Sequence, residues 1–241
     1  MQNLGEKMKL RWLGHSAFEL TSNEGTEILV DPFIRANPSC SLKPDDLNPD
    51  IICITHAHVD HFGDAIEIAR NCNSAVVCNY EISNYLQRKG INAIGINCGA
   101  VISAGDVKIR MLDAKHSSSY DFEMDIKYGG NPASFLFEFD DGFKVFHAGD
   151  TGLFSDLKFV VGEVYSPDVA LLPIGNIFTM DPKEASIAAK WINPKYVIPM
   201  HYNSFPSIMQ DGFEFEKLVK NEAPTCKTIL LEPLEICEFN E

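Results

Sequence analysis

The chain has 241 residues, 45% hydrophobic and 22% charged, the make-up of an ordinary globular protein, which excludes a disordered or fibrous polypeptide. Its formal net charge of −14 repels phosphate backbones and argues against nucleic acid as a partner. No apolar run approaches the ~18 residues of a membrane span, and the seven cysteines are scattered without a Cys-x-x-Cys pair, so neither a zinc ribbon nor a redox motif is indicated.

Residues 1–7 have no apolar signal core and read as a loose extension of one domain spanning 1–241, expected in a reducing cytoplasm. Lys9 to Leu13, Ala17 to Thr21 and Glu27 to Val30 read as short strands, with turn chemistry at Ser22-Asn23-Glu24-Gly25. Ile51 to Ile54 is a continuous apolar run, as in a buried strand. Asp64 to Asn71 has helical spacing; Ala75 to Cys78 is a strand, and Tyr80 to Arg88 a helix closed by Gly90. Val101 to Ile102 and Val107 to Leu112 are strands, and Ser134 to Phe139 with Phe143 to His147 form a hairpin around Asp140-Asp141-Gly142. Val169 to Leu172 is a strand, Lys183 to Ile192 a helix with Pro182 in its first turn, and Tyr196 to Pro199 a strand leading to His201. Phe213 to Lys220 is helical and Thr228 to Leu231 a strand. Hairpins and strand–helix units in this order predict an α/β protein: a four-layer αββα sandwich of two mixed β-sheets with helices outside.

Against that background Thr55-His56-Ala57-His58-Val59-Asp60-His61 stands out, because it puts three imidazoles and a carboxylate directly after an apolar strand. Burying those groups unpaired costs several kcal/mol, whereas imidazole and carboxylate together suit a divalent transition metal, zinc first. One loop cannot complete two coordination spheres. His116, Asp150 and His201 each follow a strand, so all of them can converge on one edge of a sandwich.

The ordered set His56, His58, Asp60, His61, His116, Asp150 and His201 resembles the metallo-β-lactamase-fold superfamily of hydrolases. Trp12-Leu13-Gly14-His15-Ser16-Ala17-Phe18, Ile28-Leu29-Val30-Asp31-Pro32-Phe33, His147-Ala148-Gly149-Asp150-Thr151-Gly152-Leu153-Phe154, Leu172-Pro173-Ile174-Gly175 and Pro199-Met200-His201-Tyr202-Asn203 are similar to a narrower bacterial and archaeal group. That group is named only as metal-dependent hydrolases and is related to the ascorbate-phosphate lactonases. The resemblance runs from Met8 to Glu232. It implies two divalent ions, zinc or alternatively manganese, nickel or iron, with His56, His58 and His116 on the first and Asp60, His61 and His201 on the second. Asp150 would bridge them. The implied reaction is attack on an ester, lactone or phosphodiester-like bond by a hydroxide bridging the two ions, whose water falls from a pKa of 15.7 towards roughly 7. Asp60 and Asp150 are then the catalytic carboxylates, with Asp60 accepting or relaying the proton.

One residue departs from the group: an aspartate is expected after Leu-Pro-Ile-Gly, and Asn176 stands there. His15 and His147 read either as strand-end histidines bonded to main chain or as supports and substrate contacts. Asp31 is read as the carboxylate that orients a ligand imidazole, and Tyr202 and Asn203 as substrate contacts. Residues 117–131 are expected to form a loop over the site that sets specificity. The partner is a small-molecule substrate, and a homo-oligomer is compatible with the sequence. Two rival readings are an iron-dependent oxygenase or redox enzyme on the same fold, whose di-iron branch carries Glu where this chain has His58, and a non-catalytic metal-binding protein.

Overall fold

The computed structural model describes residues 8–122 and 125–239, so the expected extension over residues 1–7 lies outside the described residues. The first half contains β1 (Met8–Trp12), β2 (Phe18–Thr21), β3 (Glu27–Val30), β4 (Ile51–Cys53), α1 (Val59–Phe62), α2 (Ala65–Cys72), β5 (Ala75–Asn79), α3 (Tyr80–Arg88) and β6 (Ala93–Ile96). There follow β7 (Val101–Ala104), β8 (Val107–Asp113), β9 (Ser119–Phe122), β10 (Asp125–Tyr128), β11 (Ala133–Phe139) and β12 (Lys144–His147). A π-wound helical segment, Leu157–Tyr165, precedes β13 (Val169–Pro173), α4 (Pro182–Ile192), β14 (Tyr196–Met200), α5 (Gly212–Glu222), β15 (Lys227–Thr228) and β16 (Ile236–Phe239).

Two seven-stranded mixed sheets result, ordered β16-β1-β2-β3-β4-β5-β6 and β15-β14-β13-β12-β11-β8-β7. Strand alternation shows how they layer. Ile28, Val30, Ile51, Cys53 and Val77 face inward and share one core with Ile109, Met111, Phe135, Phe137 and Val145 of the second sheet. The intervening Leu29, Ile52, Val76 and Cys78 face outward onto Ile68 and Ala69 of α2 and Ile82 and Leu86 of α3. Strands covered on both faces read as unbroken apolar runs, and β3, β4 and β5 pair in parallel as such strands do. On the far side α4 packs against β13. Its start is set by Asp181, whose side chain accepts from Glu184 N at 2.7 Å with Pro182 in the first turn. The αββα sandwich read from the sequence is the observed fold.

The segment 117–131, expected as a loop over the site, carries a hairpin in which β9 and β10 pair antiparallel, with Ser119 opposite Tyr128. Near the C-terminus the structure departs from expectation. The strand expected over Thr228 to Leu231 is cut short, because after Ile229 N donates to Val197 O (2.9 Å) the chain turns at Pro233, which has no donor to extend a ladder. It turns into β16, a strand missed from sequence, which pairs antiparallel with β1 from Met8↔Phe239 to Arg11↔Ile236. Among the described residues no helix is long and apolar enough to cross a membrane.

Candidate metal centre

Topology explains why distant residues meet. β8 and β12 both run antiparallel to β11, so they point the same way as β13, which pairs in parallel with β12, and β14, which pairs in parallel with β13. The residues that follow β8, β12 and β14 therefore emerge at one edge of the second sheet. These are His116, Asp150 and His201. The loop after β4 brings His56, His58, Asp60 and His61 to the same edge from the first sheet. Gly149 lets the chain turn into Asp150: its φ is +58°, and a Cβ there would stand 2.8 Å from Ala133 O and 3.0 Å from Thr55 Cβ.

The donor atoms fall into overlapping groups. His56, His58 and His116 form one; His15, Asp60, His61 and His201 form another; His56, His61 and Asp150 lie between them, each set within 4.8 Å. In the first group His56 Nε2 is 3.0 Å and His116 Nε2 3.3 Å from His58 Nδ1. Burial keeps all three imidazoles neutral by lowering their pKa values, His56 most of all. Neutral nitrogens facing one another so closely are held together only by a shared cation or proton. A tetrahedral ion with bonds of about 2.0–2.1 Å keeps nitrogen donors roughly 3.3 Å apart, so the spacing fits a metal.

Around Asp150 two imidazole nitrogens stand close to the carboxylate. His201 Nε2 is 3.0 Å from its Oδ2, and His61 Nε2 is 3.3 Å from its Oδ1. Yet His61 Nε2, His201 Nε2 and Asp150 Oδ1 are buried without a hydrogen bond of proper geometry. Such orphans are costly unless a ligand collects them. Burial opposes the charge on Asp150, but His201 and His61 hold its pKa well below the ordinary carboxylate value. Burial likewise opposes a charged His61, while Asp150 and Asp31 together push its pKa well above the ordinary histidine value. A field that strengthens the grip of this imidazole on a proton strengthens the pull on a divalent cation in the same way.

Asp31 stands behind the cluster. It is buried and accepts from His61 Nδ1 (2.6 Å), Thr55 N (2.8 Å) and Thr55 Oγ1 (2.7 Å). Because the Thr55 hydroxyl donates to Asp31, its oxygen is free to accept from His56 Nδ1 at 3.0 Å, leaving Nε2 bare toward the site. One carboxylate thus fixes the tautomers of two imidazoles, directly for His61 and through Thr55 for His56. Thr55 was not singled out in the sequence, although it opens the histidine motif.

His15 is buried beneath Asp60, and its Nε2 lies 3.2 Å from Asp60 Oδ2 while Nδ1 lies 2.5 Å from Ser204 Oγ. Burial lowers its pKa to about 4, the hydrogen bond to Asp60 partly offsetting that. The imidazole is neutral, so Nε2–H donates to the carboxylate and the Ser204 hydroxyl donates to Nδ1. Burial disfavours the Asp60 charge, but the His15 hydrogen bond and the His61 charge hold its pKa below the usual range. Ser204 is the second residue missed from sequence, since nothing local ties it to a partner 189 positions away.

Of the two readings of His147 the structure shows the main-chain one, and it places Tyr202, Asn203 and Asn176 outside the cavity lining. His147 does not reach the centre: its Nε2 donates to Ser16 O (2.9 Å) and its Nδ1 accepts from Gly149 N (3.1 Å), so it braces the turn before Asp150. Tyr202 is buried and stacks on Trp12 with ring centroids 5.7 Å apart, which directs it into the core. Asn203 is a turn residue, with φ of 60° and Oδ1 accepting from Gln210 N at 2.8 Å. Asn176 is exposed and absent from the cavity lining; its φ of 62° is a left-handed conformation that Asn and Asp both tolerate. The missing aspartate therefore removes no charge from the cavity.

Strain gathers here. His15, Asp31, Asn176, Ile177, His201 and Asn203 all have positive φ, and Ile177 is a β-branched residue at 50°. Each such conformation costs on the order of 1–3 kcal/mol and persists where the surroundings fix it, commonly at working sites. Above the donors lies a cavity of about 540 Å³ lined by His58, Val59, Asp60, His116, Ser117, Ser119, Ile126, Asp150, Phe178 and His201.

A model of the β-lactamase superfamily domain matches residues 9–201. A protein of Methanobrevibacter smithii designated a UPF0173 metal-dependent hydrolase is 50% identical over 97% of this chain and 98% of that protein. Among solved structures, Igni18, described as a novel metallo hydrolase from the hyperthermophilic archaeon Ignicoccus hospitalis, is 38% identical. It superposes with a TM-score of 0.87 over 98% of this chain and 99% of that one. The metallo-β-lactamase fold protein YhfI from Bacillus subtilis is 14% identical, with a TM-score of 0.71 over 97% of this chain and 100% of that one, a likeness of fold alone.

Proposed function

We propose, from the premise that the chain belongs to the β-lactamase superfamily and is a metal-dependent hydrolase within it, that it works with two divalent ions, zinc first. His56, His58 and His116 would hold one ion; Asp60, His61 and His201 would hold the other, with Asp150 between them. When bound, the pair would supply hydroxide at neutral pH and polarise a carbonyl or phosphoryl oxygen. The observation that carries this reading is the set of buried, unbonded donors His61 Nε2, His201 Nε2 and Asp150 Oδ1 aimed at one another.

The protein's own groups divide the remaining work. Asp60 is the less buried carboxylate, its side chain 27% exposed toward the cavity against 3% for Asp150. Held ionised, its carboxylate is the group that accepts the proton of an attacking water and passes it on to solvent. His15 and Ser204 keep Asp60 in one orientation, as positioning residues. Asp150, enclosed and ionised, carries negative charge between the two donor groups. Asp31 and Thr55 set which imidazole nitrogens are bare.

Two measurements test this. Zinc content should fall from two ions per chain in wild type toward one in the His56→Ala and His201→Ala variants, and hydrolysis of esters, lactones or phosphodiesters should fall with it. Unchanged metal content in His56→Ala would sink the assignment.

A further inference from the structure

We infer that the cavity over this centre selects an uncharged acyl substrate, an ester or lactone, that carries a hydrocarbon substituent, and that Phe178, Ile126 and Val59 are the residues that read it. The inference rests on the hydrolase reading above and names its substrate class. Three separate elements each send one apolar side chain to the same cavity: Val59 from α1, Ile126 from β10 and Phe178 from the turn after β13. They are 62%, 75% and 57% exposed. Single exposed apolar residues are commonplace, but convergence on one cavity beside reactive groups marks a binding surface.

Charge points the same way. Among the described residues no lysine or arginine lines the cavity, whose other members are the histidines, two carboxylates and the hydroxyls of Ser117 and Ser119. In a chain of net charge −14 an anionic substrate finds no protein cation to receive it there. The hydroxyls suit a neutral polar group.

The wall is also held in place at a cost. Phe178 follows Asn176 and Ile177, consecutive residues with φ of 62° and 50°. Asn176 N donates to Met180 O (3.0 Å), and Met180 N donates to Thr151 O (3.1 Å), which ties the turn to the residue next to Asp150. A strained turn anchored beside a candidate bridging carboxylate fixes the distance between the apolar wall and the reacting centre.

Alkyl hydroxamates bind a metal through one end and leave a chain of chosen length to probe the wall. Binding of aceto-, butyro- and octanohydroxamate to the zinc-loaded protein would be measured by calorimetry, beside turnover of the matching p-nitrophenyl esters and of bis(p-nitrophenyl) phosphate. Affinity should rise by roughly two- to fourfold per methylene until the cavity is filled. Phe178→Ser and Ile126→Ser should flatten that dependence with zinc content intact. Phe159→Ser, an exposed phenylalanine outside the lining, should not. Affinity independent of chain length, or faster turnover of the anionic phosphodiester than of the neutral esters, overturns the inference. Absence of turnover on every substrate, with hydroxamate binding retained, counts instead against the hydrolase reading, and the chain-length series still decides this one.

Discussion

Replacing Asp31 with asparagine exchanges one carboxylate oxygen for an amide NH2 and removes one charge, yet it should markedly weaken the hold of the proposed centre on metal. The carboxylate accepts three hydrogen bonds, two from Thr55 and one from His61 at 2.6 Å, in a pocket closed to solvent. An asparagine has one acceptor oxygen and an amide that only donates. If its oxygen keeps Thr55 N, its amide faces His61 Nδ1, which must then give up its proton and accept. The proton moves to Nε2, the nitrogen turned toward Asp150. Loss of a carboxylate that orients a ligand imidazole lowers metal affinity by about 10- to 100-fold, or about 1.4–2.7 kcal/mol. One charge-assisted hydrogen bond is also lost from the fold, worth about 1.5–3 kcal/mol. Competition with a chromophoric chelator at pH 7.5 gives the zinc affinities, and urea unfolding of the metal-free proteins gives the stability. The weaker ion should be lost first and the urea midpoint should drop. If Asp31→Asn binds both ions as tightly as wild type, the tautomer argument is wrong.

Asn176→Asp should leave kcat/KM nearly unchanged, because the exposed side chain lies outside the cavity lining, and should shift stability by only about 0.5 kcal/mol; a clear rise in kcat/KM would show that this position does reach substrate. Ser204→Ala should lower kcat roughly tenfold with metal content and KM unchanged, since it frees His15 and hence Asp60; equal rates would make that link idle. Acid should destabilise the metal-free chain. Buried His15 stays neutral in the fold down to about 4 while the unfolded chain takes up its proton near 6.5. Its contribution, about 3 kcal/mol, is thus whole above pH ~6.5 and lost as pH falls toward 4. His147, lowered by burial, adds to the same loss, whereas His61, raised, loses its contribution as pH rises through its own folded value. Urea midpoints at pH 7 and 4.5 in chelator check the sum, and a higher midpoint in acid refutes it.

The cluster of candidate donors that the structure brings together was legible because its chemistry is dense: three histidines and an aspartate stand in one loop, and the later members each follow an apolar run. The layers were legible for a related reason, since strands covered on both faces leave unbroken apolar stretches such as Ile51 to Ile54. What stayed hidden depends on pairs far apart in the chain. Ser204 has meaning only against His15, and Tyr202 only against Trp12. β16 pairs with residues at the other end of the chain, and its pattern alternates weakly, with Ile236 exposed and Phe239 buried. The apolar rim was invisible because Val59, Ile126 and Phe178 are unremarkable singly and lie on three different elements.

The candidate donors are drawn from both sheets: the loop after β4 belongs to the first, and the residues after β8, β12 and β14 to the second. A cation held by His61 and His201, as proposed, would act as a reversible cross-link, closing a loop of roughly 140 residues much as a disulfide would. By the chain-entropy rule for such links that constraint is worth about 5 kcal/mol in the unfolded ensemble. Chemistry that sequesters or delivers metal would then set not only whether this molecule can react but how long its two halves stay clasped, coupling its lifetime to the same ion that would arm it.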